Sequence, residues 1–526
     1  MDTKALRQKI LDLAIRGKLV PQDPNDEPAS VLLGRIRQQK QQMVKEGKLK
    51  PKDIKNDSVI FVGEDNLHYE KFADDSVKCI EDEIPFELPD GWAWERLSNL
   101  ASFSGGKTPS TSRSEYWDGD ILWVTSKDMK SKYITSSQLR LSTLGAEQMQ
   151  MYQPDTLLLV TRSGILRHTL PVAILKECAT INQDLKAIIL YMPQLAEYIY
   201  VCLKGMETQL LLKYTKSGTT VENVNFDEFQ KVLLPIPPIQ QIDRIMSSTG
   251  SAESVVSTIE DDKAALADYV IKAKSKILDL AIRGQLVPQD PDDEPASVLL
   301  ERIRAEKEEL IKQGKIKRDK KESVIFRGED NSYYEKMADG KLHCLDDQLP
   351  FELPDGWEWC NLSMIGTTNI GLTYRPTDIE PGGIMVLRSC NIVNDQVDLS
   401  GLVRVKTTVR ENQFAQKNDI LICARNGSRS LVGKCALIPD LREPASFGAF
   451  MAIYRTEYFE FIVHYLRSSF FRSVFDDSNS TAINQLTQDM LKRAIVPLPP
   501  LSEQRRIVEA IGAMLFELNQ IEKSLS

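Results

Sequence analysis

The sequence has very few of the residues on which catalytic and metal sites usually depend. Only four of its 526 residues are histidines, and they are scattered, with neither the short spacing of metal ligands nor a nearby nucleophile. They are His68, His168, His343 and His464. The eight cysteines include no Cys-x-x-Cys pair, so neither a zinc site nor a disulfide framework is indicated. All eight are expected to be reduced and buried, and several lie in apolar stretches, namely Cys202, Cys423 and Cys435.

Two nucleotide-dependent chemistries also lack their motifs. The segment SGGKT at 104–108 resembles a phosphate-binding loop, but the G-x-x-x-x-G-K-T pattern needs a glycine where Ala101 stands. An amino-methyltransferase would carry Asn or Asp, then Pro-Pro, then an aromatic residue. Both Pro-Pro pairs here, at 237–238 and 499–500, lie between aliphatic residues. No catalytic residue and no metal site is therefore expected in this chain.

Long hydrophobic runs are missing as well. Uncharged apolar runs such as Thr156–Val160 are far shorter than the roughly 20 residues that a membrane span needs. The chain enters an amphipathic helix directly after Met1–Lys4, without an apolar signal segment. With 42% hydrophobic and 27% charged residues, the composition is that of a globular protein. We expect a cytoplasmic protein without membrane contact, built from three or four units of roughly 100 to 150 residues.

The net charge of −9 argues by itself against a nucleic-acid binder. Its distribution changes that conclusion, because the acidic residues concentrate in two connectors, 51–103 and 315–361. Between them, residues 104–220 carry 13 basic against 10 acidic residues, and residues 362–485 carry 13 against 12. The intervening units are thus neutral to mildly basic, which is compatible with binding a nucleic acid.

A duplication organises the chain. Residues Ile10–Arg37 return almost unchanged as Ile277–Arg304, at an offset of 267. Two further blocks, beginning at Ser58 and Pro85, return after 265 residues. The stretches between the blocks share only scattered features. A constant part therefore alternates twice with a variable part, as expected of a scaffold that presents two different recognition modules at a fixed separation.

The scaffold is predicted to be helical. After the first Pro-Pro pair, positions from Ile242 to Leu280 step by three and four, and ten of the twelve are apolar. This is a coiled-coil seam on a helix over 239–283, about 65 Å long, with Gly284 as its C-cap. The same stepping follows the second Pro-Pro pair. The predicted seam and partner-docking residues are Ile245, Val256, Ile259, Leu266, Ile277, Ile507, Ile511 and Leu518.

The offsets lead to a further expectation about the two chain ends. The C-terminal copy aligns so that Ser526 corresponds to Ala264, and the N-terminal copy so that Met1 corresponds to Asp268. We infer that the two ends together form a second helix equivalent to the central one. The two helices would pack antiparallel, with the termini close together. The alternative is a fused tandem repeat with two unrelated helices.

The fold class expected is α+β, with two pseudo-symmetric recognition modules separated by long antiparallel coiled-coil helices. Apolar runs at 120–125, 155–161, 383–387 and 419–424 predict strands, and stripes at 195–214 and 458–475 predict helices. The predicted divisions are an N-terminal helical region 1–50, an acidic connector 51–90, a first recognition domain 91–238, a central helical region 239–315, a second connector 316–354, a second recognition domain 355–500 and a C-terminal helix 501–526.

Cationic side chains at equivalent strand ends are the candidate DNA contacts. The strand-loops LLLVTRSG and ILICARNG place Arg162 and Arg425 directly after a buried strand, where a guanidinium fork suits guanine or phosphate. For any single arginine the alternative is a surface or ion-paired side chain. The full predicted set is Lys107, Lys127, Lys130, Arg162, Ser163, Arg167, Lys216, Thr219, Arg375, Arg388, Asn391, Arg425, Asn426, Arg429 and Thr481.

These motifs resemble those of the specificity subunit of type I restriction-modification systems. The resemblance covers essentially the whole chain and rests on PPIQQIDRI and PPLSEQRRI after the two modules, the two strand-loops and the duplicated ILDLAIRG blocks. It implies that each module reads one half of a split, asymmetric DNA target. The paired helices would set the spacer and dock two modification subunits. PPIQQ lacks the Ser-Glu of PPLSEQ, which puts the cap of the central helix in doubt.

The resemblance also implies a non-catalytic chain. S-adenosylmethionine, ATP and Mg²⁺ would be bound by the two modification and two restriction subunits, with no cofactor on this chain. Two other hypotheses stay open. One is a helical adaptor whose modules bind proteins. The other is a self-contained nuclease-methylase, for which Asp155, Asp184 and Lys186 could form a PD…DxK metal site.

Overall fold

The computed structural model describes residues 2–51, 54–55, 57–216, 221–316, 318, 323–476 and 485–525. The chain forms two compact units, Met1–Asp262 and Lys263–Ser526, and the division falls within one long helix. Each unit combines helices with several sheets, which confirms the predicted α+β class.

The first unit has two long helices at its N-terminus and five short ones within the module, before the helix that it shares with the second unit. They are α1 (Thr3–Ile15), α2 (Ala29–Lys45), α3 (Leu97–Leu100), α4 (Thr143–Ala146), α5 (Ala196–Gly205), α6 (Glu207–Tyr214), α7 (Phe226–Phe229) and the shared α8 (Ile239–Ile282).

Its described strands are β1 (Ser58–Val62), β2 (His68–Phe72), β3 (Val77–Cys79), β4 (Ala93–Arg96), β5 (Ala101–Gly105), β6 (Trp117–Val124), β7 (Tyr133–Ile134), β8 (Leu139–Leu141), β9 (Leu157–Val160), β10 (Arg162–Ser163), β11 (Val172–Leu175), β12 (Ala179–Ile181), β13 (Leu185–Leu190), β14 (Thr215–Lys216), β15 (Glu222–Val224) and β16 (Leu233–Ile236). The main sheet has the order β5-β13-β9-β11-β7, and only β11 and β7 pair in parallel. Its strands β9 and β11 are apolar throughout because both of their faces are buried. Smaller sheets are β12-β6-β8, β10-β15-β14, β4-β16 and β1-β2-β3.

The second unit repeats this plan. Its further helices are α9 (Ala296–Lys312), α10 (Leu362–Ile365), α11 (Phe459–Arg467), α12 (Ser469–Asp476), α13 (Gln488–Arg493) and α14 (Leu501–Leu525). Its described strands are β17 (Ser323–Arg327), β18 (Tyr333–Met337), β19 (Leu342–Cys344), β20 (Glu358–Asn361), β21 (Thr367–Ile370), β22 (Ile379–Leu387), β23 (Ile392–Val393), β24 (Gln396–Val397), β25 (Val403–Val405), β26 (Ile420–Cys423), β27 (Cys435–Leu437), β28 (Ala445–Phe447), β29 (Met451–Arg455) and β30 (Ile495–Leu498). The main sheet is β21-β29-β26-β27-β24-β23, beside β25-β22-β28, β20-β30 and β17-β18-β19.

The repeated helical blocks end on equivalent glycines. In α8 the last turn closes when the amide of Gln285 donates to the carbonyl of Leu280 (2.8 Å), with Gly284 at a φ of 67°. Gly17 follows α1 at a φ of 66° in the same way. Only glycine adopts this left-handed conformation without steric cost, so the predicted C-cap at Gly284 is confirmed.

The helix that follows each Pro-Pro motif accepts a hydrogen bond from a tryptophan of its own unit. The indole Nε1 of Trp92 donates to Oε1 of Gln241 at the start of α8 (2.9 Å). In the second unit, Nε1 of Trp357 donates to Oε2 of Glu503 at the start of α14, also at 2.9 Å. The glutamine of PPIQQ therefore accepts the same hydrogen bond as the glutamate of PPLSEQ, and both helices begin in the same place.

An arginine in each motif makes a second fastening. Arg244 donates to both carboxylate oxygens of Asp26, in the loop before α2. Arg506 does the same with Asp293, before α9, with its closer nitrogen at 2.6 Å. These contacts hold the starts of α8 and α14 against the repeated blocks.

Antiparallel packing of the long helices is observed within each unit. Arg7 of α1 forms an ion pair with Glu260 of α8 (2.6 Å), whereas Gln22, after α1, contacts Gln241 at the opposite end of that stretch. In the second unit, Glu522 near the end of α14 pairs with Lys274 of α8 at 2.6 Å, whereas Gln289, after α8, donates to Glu503 at the start of α14. Both pairings therefore run in opposite chain directions. That the two ends of the chain form one equivalent helix stays a prediction.

Burial along the predicted seam is uneven. Ile245, Val256, Ile507 and Ile511 are buried, and Ile259, Ile277 and Leu518 are partly buried. Leu266 is more exposed than the other predicted seam residues, with 43% of its surface accessible. It lies between Glu260 and Lys274, the positions at which α1 and α14 form their ion pairs with α8. The periodicity continues through a stretch of helix that is not covered along that face.

Other expectations are partly corrected. All four predicted module strands are present, but each predicted long helix is broken in two. Ser468 breaks the second by capping α12, since its Oγ accepts from the amide of Phe471 at 3.3 Å. The two connectors contain the sheets β1-β2-β3 and β17-β18-β19.

The cysteines also differ in part from the prediction. All eight are free, and Cys202, Cys423 and Cys435 are buried as predicted. Cys79, Cys178, Cys344 and Cys390 are exposed. None of the helices in the described ranges is long and apolar enough to cross a membrane.

Candidate nucleic-acid interface

The loops of the first unit that carry predicted cations meet beside the segment 182–184. The amide of Lys107 donates to the carbonyl of Ile181 (3.0 Å), which fixes the loop after β5 to the end of β12. At the other end of this segment, the carbonyl of Asp184 accepts from the amide of Thr161 (2.8 Å). Arg162 is the next residue after Thr161 and is therefore held beside the same segment. Two predicted contacts that lie far apart in sequence are thereby held at one end of the sheet.

The turn after β6 reaches the same end. The amide of Asn182 donates to the carbonyl of Val124, the last residue of β6, at 3.0 Å. The turn is ordered by Asp128, whose carboxylate accepts from the backbone amide of Thr125 at 2.8 Å. The ordered turn carries Lys127 and Lys130, which are both exposed. The first unit thus presents cations from three loops around one segment.

We call this meeting of three loops, held by backbone hydrogen bonds to one segment, the junction. The second unit builds the same junction around the segment 448–450. Three backbone hydrogen bonds fix it, from Leu372 to Phe447 (2.6 Å), from Gly448 to Leu387 (2.9 Å) and from Ala424 to Phe450 (2.9 Å). The loops that follow the fixed strands carry Arg375, Arg388 and Arg425. The two modules therefore place cations in corresponding loops, and Arg162 and Arg425 occupy equivalent positions, although the module sequences have diverged.

A small sheet extends the junction of the first unit. In β10-β15-β14, Arg162 lies opposite Asn223, and Lys216 lies opposite Asn223 from the other side. Residues that face each other across neighbouring strands project to the same side of a sheet. All three are exposed. The sheet therefore presents a row of two cations with an amide between them.

The second unit has a shorter version of this row. Arg425 pairs with Gln485 in an antiparallel bridge, and both are exposed. The guanidinium of Arg425 lies 5.4 Å from the ring centroid of Phe450, whose ring is 60% exposed. A cation resting on an aromatic face is held in place without losing its hydrogen-bond donors. An arginine and an amide are thus neighbours in both units.

Two of the predicted contact residues have hydrogen-bond partners within their own unit. Nε of Arg167 donates to the buried carboxylate of Glu222 at 2.8 Å, so this arginine supports β15 from the other face. Asn391 is buried, and its Oδ1 accepts from the amide of Arg388 at 3.0 Å. Its Nδ2 donates to the carbonyl of Asp398 at 3.1 Å. Asn391 thus shapes the turn that carries Arg388, and its contact with DNA stays a prediction.

The other predicted residues lie in turns near the two rows. The Oγ of Ser163 accepts from the amide of Ile165. Asn426 accepts from the amide of Ser428 at 3.0 Å, and the exposed Arg429 opens a short 3₁₀ turn. Thr219 and Thr481 lie outside the described residues.

The possible nuclease site is not assembled. Asp155 precedes β9 and Asp184 precedes β13, and these strands are antiparallel, so the two carboxylates lie at opposite ends of the pair. Asp155 forms an ion pair with Lys176 at 3.0 Å. Across the described ranges, no group of three His, Cys, Asp or Glu residues could hold a metal ion. Burial lowers the pKa of His464 to about 4, so its imidazole is neutral at pH 7.

Sequence reasoning missed the two amide residues and Phe450. Asn223 and Gln485 lie in short polar stretches that carry no periodic signal, and their strand partners are 61 and 60 residues away. A signal was available in the sequence, because each follows a run of small polar residues, 217–220 or 478–481, in the same part of its module.

Comparison with known proteins places the chain in a class whose modules recognise DNA. The family described as the type I restriction modification DNA specificity domain matches residues 89–252 and 354–525, which together make up more than half of the chain. The chain belongs to this family.

Curated relatives cover nearly its whole length. The EcoAI specificity subunit of Escherichia coli is 28% identical over 99% of this chain and 90% of its own length. The EcoEI specificity subunit of Escherichia coli is 25% identical over the same shares. Among solved structures, the HsdS subunit from Thermoanaerobacter tengcongensis matches with a TM-score of 0.46 and 15% identity, covering 84% of this chain and 94% of its own.

Proposed function

We infer that this chain is the DNA sequence-recognition subunit of a type I restriction-modification complex. Each module would read one half of a bipartite, asymmetric target. The long helices would set the spacer between the halves and dock the modification subunits. The chain itself would perform no chemistry.

One observation carries this proposal. Two modules with diverged sequences hold arginines at the same strand end, through the same backbone junction at 182–184 and 448–450. An arginine fork at a sheet edge suits guanine or phosphate. The backbone around the two arginines is the same, but the nearby side chains differ. This is expected if both modules bind one kind of ligand but distinguish different sequences.

Two weak half-sites on one chain suit this role. Once one module is bound, the second binds intramolecularly, so the affinity rises and the spacing of the half-sites is fixed. The modules are nearly neutral, with 13 basic against 10 acidic residues in 104–220 and 13 against 12 in 362–485. Since affinity for DNA depends mainly on phosphate neutralisation, this chain alone would bind DNA weakly.

The proposed partners complete the complex. Two modification subunits would bring S-adenosylmethionine and methylate adenine, and two restriction subunits would bring ATP, Mg²⁺ and nuclease activity. The complex would act in the cytoplasm. Family membership does not favour the adaptor hypothesis, and the separation of Asp155 from Asp184 argues against a nuclease site of the predicted kind.

Methylation-sensitive long-read sequencing tests the proposal. DNA from cells that express this chain with its modification subunits should carry methylated adenine in one split, non-palindromic motif. Cells with the modification subunits alone should lack that motif. Unchanged methylation between the two strains would contradict the proposal.

A further inference from the structure

The arginine of each module has an amide neighbour in the same geometry. The carbonyl before Arg162 accepts from the amide of Val224 at 2.9 Å, which sets Asn223 opposite the arginine. The carbonyl before Arg425 accepts from Leu486 at 2.7 Å and sets Gln485 opposite it. Since the flanking sequences differ, this agreement in register is a feature of the fold that both modules have kept.

Strand formation does not account for these amides. Asparagine is depleted in strands, yet Asn223 is the middle residue of the middle strand of β10-β15-β14. Its Nδ2 makes one long contact, 3.4 Å to the carbonyl of Val221. Asn223 and Gln485 are both exposed, so each amide can meet a ligand on the same face as its arginine.

An arginine beside an amide matches the chemistry of DNA bases. Arginine donates two hydrogen bonds to O6 and N7 of guanine, and asparagine or glutamine pairs in the same bidentate way with N6 and N7 of adenine. Opposite side chains on antiparallel strands are about 5 Å apart at Cβ. Base pairs follow every 3.4 Å or so, and the major groove admits a β-ribbon. The two side chains can therefore reach base pairs one or two steps apart.

We propose that Asn223 and Gln485 are specificity-determining residues, each reading an adenine beside the base contacted by Arg162 or Arg425. This inference rests on the proposed function and adds to it the base that each module recognises at this position. The side chain of Gln485 is one methylene group longer than that of Asn223, so it reaches further into the groove. Phe450 supplies an apolar neighbour in the second module only, suited to the methyl group of thymine.

A selection experiment tests this inference. The full chain, assembled with its modification subunits, is mixed with a library of DNA duplexes that carry about 30 randomised base pairs, enough for two half-sites two helical turns apart, and the bound duplexes are sequenced. With Asn223→Ala, one adenine position in one half of the motif should become degenerate, while the other half is unchanged. Gln485→Ala should do the same in the opposite half. The affinity for the wild-type target should fall about 5- to 150-fold in each case.

Further variants separate base reading from folding. Asn223→Gln keeps the amide and should keep the preference for adenine. Asn223→Asp should replace it with a preference for cytosine, because a carboxylate accepts from N4 of cytosine. The matched controls are Gln194→Ala and Gln416→Ala, which remove exposed amides near the opposite ends of β13 and β26 and should leave the motif intact.

The outcomes distinguish the two levels of the proposal. If the wild-type complex enriches no sequence, the proposed function fails, and the inference fails with it. If the wild type enriches a split motif that Asn223→Ala and Gln485→Ala leave unchanged, only the inference is wrong. An equal loss of affinity for target and unrelated duplexes would assign the amides to phosphate contact, which also overturns it.

Discussion

At the scale of single residues, the proposed reading of DNA depends on guanidinium geometry as well as on charge. Arg162 and Arg425 are each held at a strand end by backbone hydrogen bonds on both sides, from β15 and 182–184 or from Leu486 and 448–450. Lysine keeps a positive charge but has no planar fork. A substitution that keeps the charge can therefore separate guanine reading from phosphate binding.

Arg162→Lys should lower the affinity for the specific target about 5- to 150-fold while leaving the affinity for an unrelated duplex nearly unchanged. Arg162→Ala should weaken both, and should reduce the salt dependence by about one phosphate contact. Fluorescence anisotropy with both duplexes over a salt series measures these effects. Equal losses on the two duplexes with the lysine variant would show that Arg162 contacts phosphate only.

The tryptophan contacts at the two Pro-Pro motifs give a second prediction. Burial raises the pKa of Glu503, which accepts hydrogen bonds from Trp357 and Gln289, whereas the equivalent acceptor in the first unit is the neutral Gln241. The stability from a carboxyl with a raised pKa is fully present below its unfolded pKa and is lost as the pH rises through the folded pKa. The charged Glu503 therefore costs stability at neutral pH.

Glu503→Gln should stabilise the protein at pH 7 to 8 by about 1 kcal/mol, and the difference should disappear near pH 4. A gain of this size raises the melting temperature by about 2 to 4 °C. The converse variant, Gln241→Glu, should destabilise the first unit at neutral pH. Thermal unfolding followed across this pH range provides the test. A Glu503→Gln variant that is less stable at pH 7 would mean that the charged hydrogen bonds outweigh the cost of burial.

Single residues could be predicted from the sequence only where their surroundings were local. Arg162 and Arg425 were predicted because each directly follows a buried strand that periodicity identifies. The contact of Arg167 with Glu222 was not predicted, because the two residues are 55 positions apart and no local pattern indicates the pair. The hydrogen bonds of Asn391 were not predicted either, since a polar residue in a turn looks the same in sequence whether it caps the turn or faces solvent.

At the scale of helices and strands, the glycines that end the repeated helices are in close steric contact with their surroundings. A Cβ on Gly284 would lie 2.4 Å from Cγ of Pro354, and the residue has a φ of 67°. Gly250, inside α8, is the opposite case, because nothing lies within 4 Å of the position that a Cβ would take there. The same substitution should thus have opposite effects at these two glycines.

Gly284→Ala should destabilise the protein by about 1 to 3 kcal/mol, since the left-handed conformation and the proline both oppose a side chain. Gly250→Ala should stabilise it by about 0.5 to 1 kcal/mol, because alanine favours the helix and meets no clash. Urea unfolding of both variants beside the wild type measures the difference. If both variants lost stability alike, the close approach to Pro354 would not be the cause.

Helices and strands were predictable where one face repeats and less so where tertiary contacts interrupt it. The long helix α8 and the four module strands follow the apolar pattern of the sequence. The predicted helix over 458–475 is broken because the hydroxyl of Ser468 caps a new helix, a local contact that outweighs the continuing apolar stripe. Leu266 keeps the seam periodicity although 43% of its surface is exposed, because periodicity reports the shape of a helix and not what covers it.

At the scale of the whole molecule, duplication was the most informative property of the sequence. Near-identical blocks at an offset of 265 to 267 predicted two copies of one plan, and the strand order of the two main sheets agrees over β5-β13-β9-β11 and β21-β29-β26-β27. The target sequence could not be predicted, because it depends on side chains such as Asn223 and Gln485 that lie where the two copies have diverged. Modules on a constant scaffold should therefore be exchangeable.

Replacing residues 360–497 with the corresponding module of the EcoAI specificity subunit should change one half of the methylated motif and leave the other half and the spacer unchanged. The reason is that strands β20 and β30 pair at the ends of this module, so it joins the repeated scaffold at one place. Long-read methylation sequencing of cells carrying the hybrid and the modification subunits gives the result directly. A control that replaces residues 95–235 should change the opposite half. If either exchange altered both halves, the two modules would not read DNA independently.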